Sequence, residues 1–586
     1  MADAALRTDR SALLVPAALV VIAITGLGAR LFHLGQRVYY YDEAWFGYWT
    51  LKFLDHGVWE YRPVLHGPFL VRVHSLVFSV VGANDFTGRV VVAVIGGLLP
   101  LAAWLVRDHL RDVEVIALGV FLAFNPVLLY YSRFMRNDVP LAAFMLVSLG
   151  FLSRAYVSGE ARYLHLGAVS LALAATTKES VLLWLLSWVG AGAIVLDTRL
   201  MRSQARGVNP GSWLRRALHR VVRTTRRWPG QLLGAWFLFT GVLVLFYAPR
   251  AGSTQRIGLW KALGGNPSML PAVVYESTFG ALVKALEYWL AGGMQNHPYI
   301  PYLLDTLATL RAGALPILLL SVLGFFVDRY TGSGPRVLVS FTFYIGVAAI
   351  VGYPLANALP VPWSTVHAIV PLAVPAAVGT GSLLRRGRDL VSESIDAVEN
   401  RSLADLEGWR LSARLALAGG VVLVFGFFAF HTASAAWRTS YAAPHESPDG
   451  FDGGHEIVYS GQAPGRLRIL TTAIASAARN GGRDVDVLYV GSDLDIKEWT
   501  ANHPPPAPQW YRRFPLPWYT ESTGAQVQSV AKPKAIGQDP PPVVITSTSL
   551  AGDVEKRLGH SYVRLEYRLD DAGYRRLVGF TKPSKT

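Results

Sequence analysis

Apolar runs recur along most of this chain at a length that suits a bilayer. About 20 apolar residues are needed to cross roughly 30 Å of hydrocarbon. The runs at 12–34, 88–106, 114–131, 138–155, 163–178, 180–197, 231–248, 313–328, 337–353, 364–384 and 413–432 meet or approach that length. About eleven transmembrane helices are therefore expected, in a membrane domain spanning 1–432. From 433 to 586 the pattern changes. Proline-rich joints (Pro504-Pro505-Pro506 and Pro540-Pro541-Pro542) separate short strand-like runs at 485–490, 543–546 and 562–567. Helical patterns at 467–479 and 552–558 lie between them, which predicts a small α/β domain outside the membrane.

Polar residues between the runs set the orientation. The loop 198–230 holds nine arginines, and the loop after the tenth run holds Arg385, Arg386, Arg388, Arg401, Arg410 and Arg414. Cytoplasmic loops carry such an excess, so the N-terminus is placed inside and the 433–586 domain outside. The opposite set of loops then faces outward, and all the unusual chemistry lies there. Composition agrees with a multi-pass protein of the cell membrane. Of 586 residues, 52% are hydrophobic and only 16% charged, well below the quarter usual for soluble chains. The net charge of +15 sits largely in the two arginine loops, so nucleic acid is not an expected partner. There is no cysteine, which excludes disulfides and thiol chemistry.

The first cluster is Tyr39-Tyr40-Tyr41-Asp42-Glu43-Ala44-Trp45-Phe46-Gly47, at the exit of the first run. Adjacent carboxylates on a helix point about 100° apart, so one faces a reaction centre while the other orients a neighbour. His66 follows on the same loop. The second cluster, 130–140, contains Arg133, Arg136 and Asp138. Two arginines three residues apart share a helical face, a geometry suited to gripping phosphate. The bland reading, arginines snorkelling to headgroups, is disfavoured on the outer side. The third is Thr176-Thr177-Lys178-Glu179-Ser180, a tight turn where an ion pair or a substrate contact is expected. His297, in the stretch 295–302, and Trp363 with His367, in 362–367, are further candidate contacts. Each of these two stretches alone also suits a proline-rich loop with interfacial aromatics. Asp484-Val485-Asp486 fits a D-x-D pattern but begins an expected strand. No Gly-rich phosphate loop, H-E-x-x-H or G-x-S-x-G motif is present.

The order Asp42-Glu43-Ala44-Trp45-Phe46-Gly47, His66-Gly67-Pro68 and Phe86-Thr87-Gly88-Arg89 resembles the first outer loop of protein O-mannosyltransferases and bacterial aminoarabinose transferases. Ser132-Arg133 with Asp138, the Lys178 turn, and Pro362-Trp363 with His367 continue that order. The resemblance extends over 36–370, and the tail's Trp518-Tyr519 is similar to the flippase-activity-associated family of archaeal N-glycosylation. It implies a GT-C fold and transfer of a sugar from a polyisoprenyl-phosphate carrier at the outer face. The acceptor is then a glycan, lipid or protein. Gly67 replaces a proline usual in mannosyltransferases, which points to a different acceptor side. The basic charge points to a non-halophilic source.

Under that resemblance Asp42 takes the proton of the attacking hydroxyl, Glu43 orients it, and Arg133 and Arg136, with Lys178, stabilise the leaving phosphate. His66, Asp138, Glu179, His297, Trp363 and His367 are expected to contact substrate. A divalent metal near the acidic loops is possible in relatives, but no spacing here demands a cofactor. A transporter would carry ionisable groups within its spans, and the runs hold few. A non-catalytic accessory of lipid-linked glycan flipping or assembly is the alternative.

Overall fold

The computed structural model describes residues 9–57, 60–250, 258–291, 297–331, 334–357, 359–399, 408–442, 456–459, 461–480, 484–496, 508–570 and 575–582. The protein is mostly helical. Among the described residues, ten helices are long and apolar enough to span a membrane. Nine coincide with expected runs: Leu13–Leu31, Thr87–His109, Asp138–Ser158, Val181–Ala205, Pro229–Tyr247, Tyr299–Tyr330, Val337–Ala356, Pro362–Ile395 and Ser412–Ser440. The run 114–131 is broken in two, Asp112–Phe124 and Pro126–Tyr131. Asn125 divides it: its side chain accepts from the amides of Val127 and Leu128, starting a second helix at Pro126. The run 163–178 forms the Ala161–Thr177 helix of 17 residues, just short of a full span. The tenth candidate, Pro267–Leu290, falls in a stretch the hydrophobic pattern assigns to a loop.

Packing is uneven. The Pro362–Ile395 window is 89% buried, whereas that of Pro229–Tyr247 is 6% buried. The first is the central post of the bundle and the second a lipid-facing wall, as an all-round apolar helix without a polar face permits. The last membrane helix runs through Gly408–Ser440, past the border expected at 432.

The tail folds as an α/β layer. Strands β1 (Val487–Val490), β2 (Val527–Val530), β3 (Val543–Ser547), β4 (Val563–Arg568) and β5 (Arg576–Thr581) form one sheet in the order β2-β1-β3-β5-β4. β1 pairs in parallel with β2 and β3, while β5 pairs antiparallel with β3 and β4. β1 is buried on both faces, as a central strand requires. Val487 and Tyr489 join the large core shared with the membrane helices. Leu488 and Val490 pack in a separate core with Val554 and Leu558 of the Ala551–Leu558 helix.

The tail is clamped to the first loop through the short Leu516–Thr523 helix. Trp518 stacks on Tyr39 at 4.8 Å, and its indole donates to Asp85 at 3.1 Å. Tyr519 donates to the same carboxylate at 3.1 Å and accepts the Tyr39 amide at 2.8 Å. Arg468 completes the ring with an ion pair to Asp85 at 2.8 Å. The Asp85 carboxylate is thereby satisfied from three sides, as burial demands.

Candidate active site

The Tyr41–His56 helix begins just beyond the first membrane helix and carries the two adjacent carboxylates in its first turn. They separate as their helical positions require. Glu43 is fully buried and grips Arg89 with both oxygens at 2.7 Å. One of those oxygens also accepts the Met135 amide at 2.9 Å. Glu43 thereby ties the first loop to the 132–137 turn. Asp42 points the other way, is 35% exposed, and pairs with Arg136.

Arg136 is the hub. Its guanidinium also donates to the Tyr40 hydroxyl at 2.7 Å, meets Asp138 at 3.5 Å and lies 3.6 Å from the centre of the Trp363 ring. Burial disfavours its charge, but Tyr40, Asp42 and Asp138 more than offset that penalty and hold its pKa above the ordinary value. Asp138 opens the Asp138–Ser158 helix, where an anion suits the helix dipole. It receives Lys178 at 2.8 Å and His367 at 3.3 Å. His367 Nδ1 accepts the Trp184 indole N–H at 3.1 Å. An indole only donates, so the proton of His367 sits on Nε2 and is directed at Asp138. The Tyr353 ring stacks on the imidazole at 4.6 Å.

A second group adjoins the first through Lys178 and Glu179. Glu179 accepts from Tyr61 at 2.7 Å and bonds His66 Nδ1 at 2.9 Å. His66 has φ 55° and ψ −162°, a conformation that strongly favours glycine and costs about 1–3 kcal/mol. The neighbouring residue fixes that conformation. The Gly67 amide donates to Thr177 O at 3.1 Å, and a Cβ on Gly67 would fall 2.2 Å from Thr176 O. Gly67 in place of proline is thus a packing requirement: proline has neither the N–H nor the room. Burial and then Glu179 push the Tyr61 phenol well above its ordinary pKa, so it remains a donor.

Asp42, Arg136, Asp138, Lys178, Trp363 and His367 thus meet in one network, Glu43 braces its turn through Arg89 and the Met135 amide, and His66 with Glu179 forms its flank. Two expected contacts do not join them. Arg133 does not share a phosphate grip with Arg136. Its Nη1 donates to the carbonyls of Ala29, Arg30 and Phe32 at 2.9, 2.9 and 2.7 Å, closing the C-terminal end of the first membrane helix. Those carbonyls lack helical partners, and a cation is their natural cap. The 132–137 turn is irregular, so spacing of three does not place its arginines on one face. His297 Nε2 donates to the Pro354 carbonyl at 3.1 Å and its ring lies tilted against Tyr302, with no bond to the ion network among the described residues.

Sequence reasoning assigned no role to Arg89, Tyr40, Trp184 or Tyr61. Arg89 stood in the Phe86-Thr87-Gly88-Arg89 motif and Tyr40 in the first cluster without a role of their own, and the other aromatics carried no signal in a chain rich in them. Among the described residues, no group of three or more His, Asp or Glu is placed to hold a metal. Each carboxylate here already faces a guanidinium, ammonium or imidazole, so the donor set does not fit a divalent ion. Asp486, just ahead of β1, accepts the Gln526 amide at 2.9 Å.

Residues 65–206 match the family described as dolichyl-phosphate-mannose-protein mannosyltransferase. Residues 467–582 match the Agl23 flippase-associated protein C-terminal domain. Among solved structures, ArnT from Cupriavidus metallidurans bound to undecaprenyl phosphate is similar at a TM-score of 0.52 and 15% identity, covering 96% of this chain and 98% of that one. Its apo form gives 0.53, 15%, 96% and 97%. The Archaeoglobus fulgidus oligosaccharyltransferase in the apo form gives a TM-score of 0.46 at 12% identity, covering 94% of this chain and 69% of that one. No curated protein matches in sequence. The protein is a multi-pass membrane protein with a GT-C-like fold, similar in architecture to ArnT.

Proposed function

We propose that this protein moves a sugar from a polyisoprenyl-phosphate carrier to an acceptor hydroxyl at the outer membrane face, with inversion at the anomeric carbon and Asp42 as general base. The observation that carries this reading is the contrast among three carboxylates. Asp42 is 35% exposed, whereas Glu43 and Asp138 are 0% and 2% exposed. Only Asp42 is open to a substrate, and it is held by a buried chain of counter-ions. The match to mannosyltransferases over 65–206 and the likeness to a structure of ArnT with undecaprenyl phosphate support a lipid-linked donor.

Charge balance supplies the mechanism. Asp42 and Asp138 are matched by Arg136 and Lys178, so the network is neutral at rest. The acceptor oxygen attacks the anomeric carbon, its proton passes to Asp42, and the sugar–phosphate C–O bond breaks. Protonating Asp42 leaves the positive charge of Arg136 uncompensated just as the leaving phosphate gains its second negative charge. Electrostatic stabilisation placed where charge develops is a large share of catalysis. We assign that role to Arg136 and Lys178, with His66 beside them, and give Arg133 a structural one. Glu43 and Asp138 are positioning residues. The arginine distribution supports the orientation. The strongly amphipathic Pro210–Arg227 helix exposes Arg215, Arg216, Arg223, Arg226 and Arg227, as a helix on the anionic cytoplasmic leaflet does.

Asp42→Asn keeps size but removes the proton acceptor, so transfer should fall about 10²–10⁴-fold. Photocrosslinking of a polyprenyl-phosphate probe should persist. Full transfer by Asp42→Asn removes Asp42 as base. The Agl23-type tail favours a second reading, a non-catalytic accessory of lipid-linked glycan flipping. Transfer by neither wild type nor variant, with probe binding retained in both, supports that alternative.

A further inference from the structure

Side chains that belong to the chain after the last membrane helix come within electrostatic reach of Asp42. Tyr459 packs edge-on against Trp363 at 4.7 Å, and Trp363 is the ring that carries Arg136. Tyr459 also meets the Tyr40 ring at 6.2 Å. The short segment that bears it is fastened to the membrane domain. Tyr131 donates to Ile457 O at 2.6 Å, and Thr309 donates to Glu456 O at 2.8 Å. Its phenol therefore has a fixed place, yet its hydroxyl is hydrogen-bonded to none of the described residues. Burial, then the charge of Asp42, pushes the phenol above its ordinary pKa, so it stays a neutral donor.

Arg575 approaches from the tail sheet. Its guanidinium lies 5.1 Å from the centre of the Tyr41 ring, the residue next to Asp42. It is fixed by Asp570 at 2.9 Å and by the Phe514 carbonyl at 3.0 Å, and remains 28% exposed. Tyr459 lies within electrostatic reach of Asp42, Arg136, Arg575 and Asp570. An aromatic face, a phenol donor and a guanidinium around a carboxylate form a surface suited to a pyranose. The ring's C–H face rests on aromatics, and its hydroxyls bond the polar groups.

We propose that Tyr459 and Arg575 contact the sugar ring of the lipid-linked donor at Asp42, so that the tail domain reads the sugar while the membrane domain holds the phosphate. This rests on the transfer reading above. The step from geometry is short. A sugar positioned for attack beside Asp42 has these two side chains as its outer neighbours.

The test separates sugar from phosphate. Full-length protein in nanodiscs is titrated with decaprenyl phosphate, decaprenyl-phosphate mannose and decaprenyl-phosphate arabinose, following tryptophan quenching. Wild type should bind one sugar lipid more tightly than bare decaprenyl phosphate. Tyr459→Phe loses one neutral hydrogen bond, and the preference should shrink about 2–10-fold. Arg575→Met loses charge-assisted bonds, and it should shrink about 10–100-fold. Binding of bare decaprenyl phosphate should stay unchanged in both. Tyr459→Phe breaks no bond to the described residues, so it guards against an Arg575 variant that misfolds. Equal loss for all three lipids, or a preference kept in both variants, overturns the inference and leaves the transfer reading standing. Unchanged lipid binding with reduced transfer also overturns it, by moving these residues to the acceptor. Wild type that prefers neither sugar lipid overturns it too, and wild type that binds no lipid at all sinks the transfer reading as well.

Discussion

Asp42 and Glu43 are neighbours in sequence, yet their removal should have opposite consequences. Glu43 and Arg89 are both fully enclosed and share two hydrogen bonds of 2.7 Å. Arg89 also donates to the carbonyls of Leu34 and Arg37 at 3.1 and 2.8 Å. Glu43→Gln leaves a buried guanidinium without its counter-charge and weakens the acceptor for the Met135 amide. Breaking a buried pair by removing one partner costs about 3–5 kcal/mol. Arg89→Met should cost a similar amount by leaving Glu43 bare. The double variant Glu43→Leu/Arg89→Met removes both charges, and replacing a whole buried pair by apolar groups is often neutral or stabilising by about 1–4 kcal/mol. Here the lost Met135 and carbonyl contacts should take back part of that gain. The double variant should therefore be less destabilised than the sum of the singles, by at least about 2 kcal/mol of coupling. Asp42→Asn leaves Arg136 the Asp138 carboxylate and the Tyr40 hydroxyl, so its melting should move far less than that of Glu43→Gln. The assay is denaturation of the purified protein in detergent, followed by tryptophan fluorescence and run with all four variants and wild type. Additive single effects, or an Asp42→Asn protein as unstable as Glu43→Gln, would falsify the division of labour between the two carboxylates.

Gly67→Ala should lower stability by about 1–3 kcal/mol, because its Cβ meets Thr176 O at 2.2 Å, and Gly67→Pro should be worse, since it also loses the bond to Thr177. Melting curves check both, and a proline variant as stable as wild type would refute the packing account. Glu179→Gln and His66→Ala should reduce transfer alike, because Glu179 acts by aiming His66; a harmless Glu179→Gln would break that link. Arg133→Met should lower stability through the uncapped carbonyls and leave crosslinking of a polyprenyl-phosphate probe intact once folded protein is compared, while lost crosslinking would return Arg133 to the phosphate. Since the natural chain has no cysteine, Ser549→Cys in the tail should react with an impermeant maleimide on intact cells, and Arg226→Cys only after lysis. The reverse pattern inverts the orientation.

Hydropathy alone located nine of the ten span-length helices among the described residues, because a helix in lipid must be apolar over its whole length. It missed Pro267–Leu290 and ran through the break at Asn125, since a side-chain cap is not an apolar signal. The tail's helices at Leu467–Arg479 and Ala551–Leu558, and strands β1, β3 and β4, were legible from local pattern. Strand β2, exposed on the sheet edge, and β5, whose place depends on pairing between β3 and β4, were not. For the site, sequence supplied the residues whose cost demanded a reason: carboxylates, arginines, a lysine and histidines at the ends of apolar runs. It could not say which cation meets which anion. Arg133 and Arg136 look equivalent in sequence. The turn between them sends one to the carbonyls of the first helix and the other to Asp42, because ion pairing is decided by three-dimensional distance across loops dozens to hundreds of residues apart. Tyr459 and Arg575 were invisible for the same reason: a tyrosine and an arginine in a loop-rich tail acquire meaning only when the fold lays that tail over Asp42.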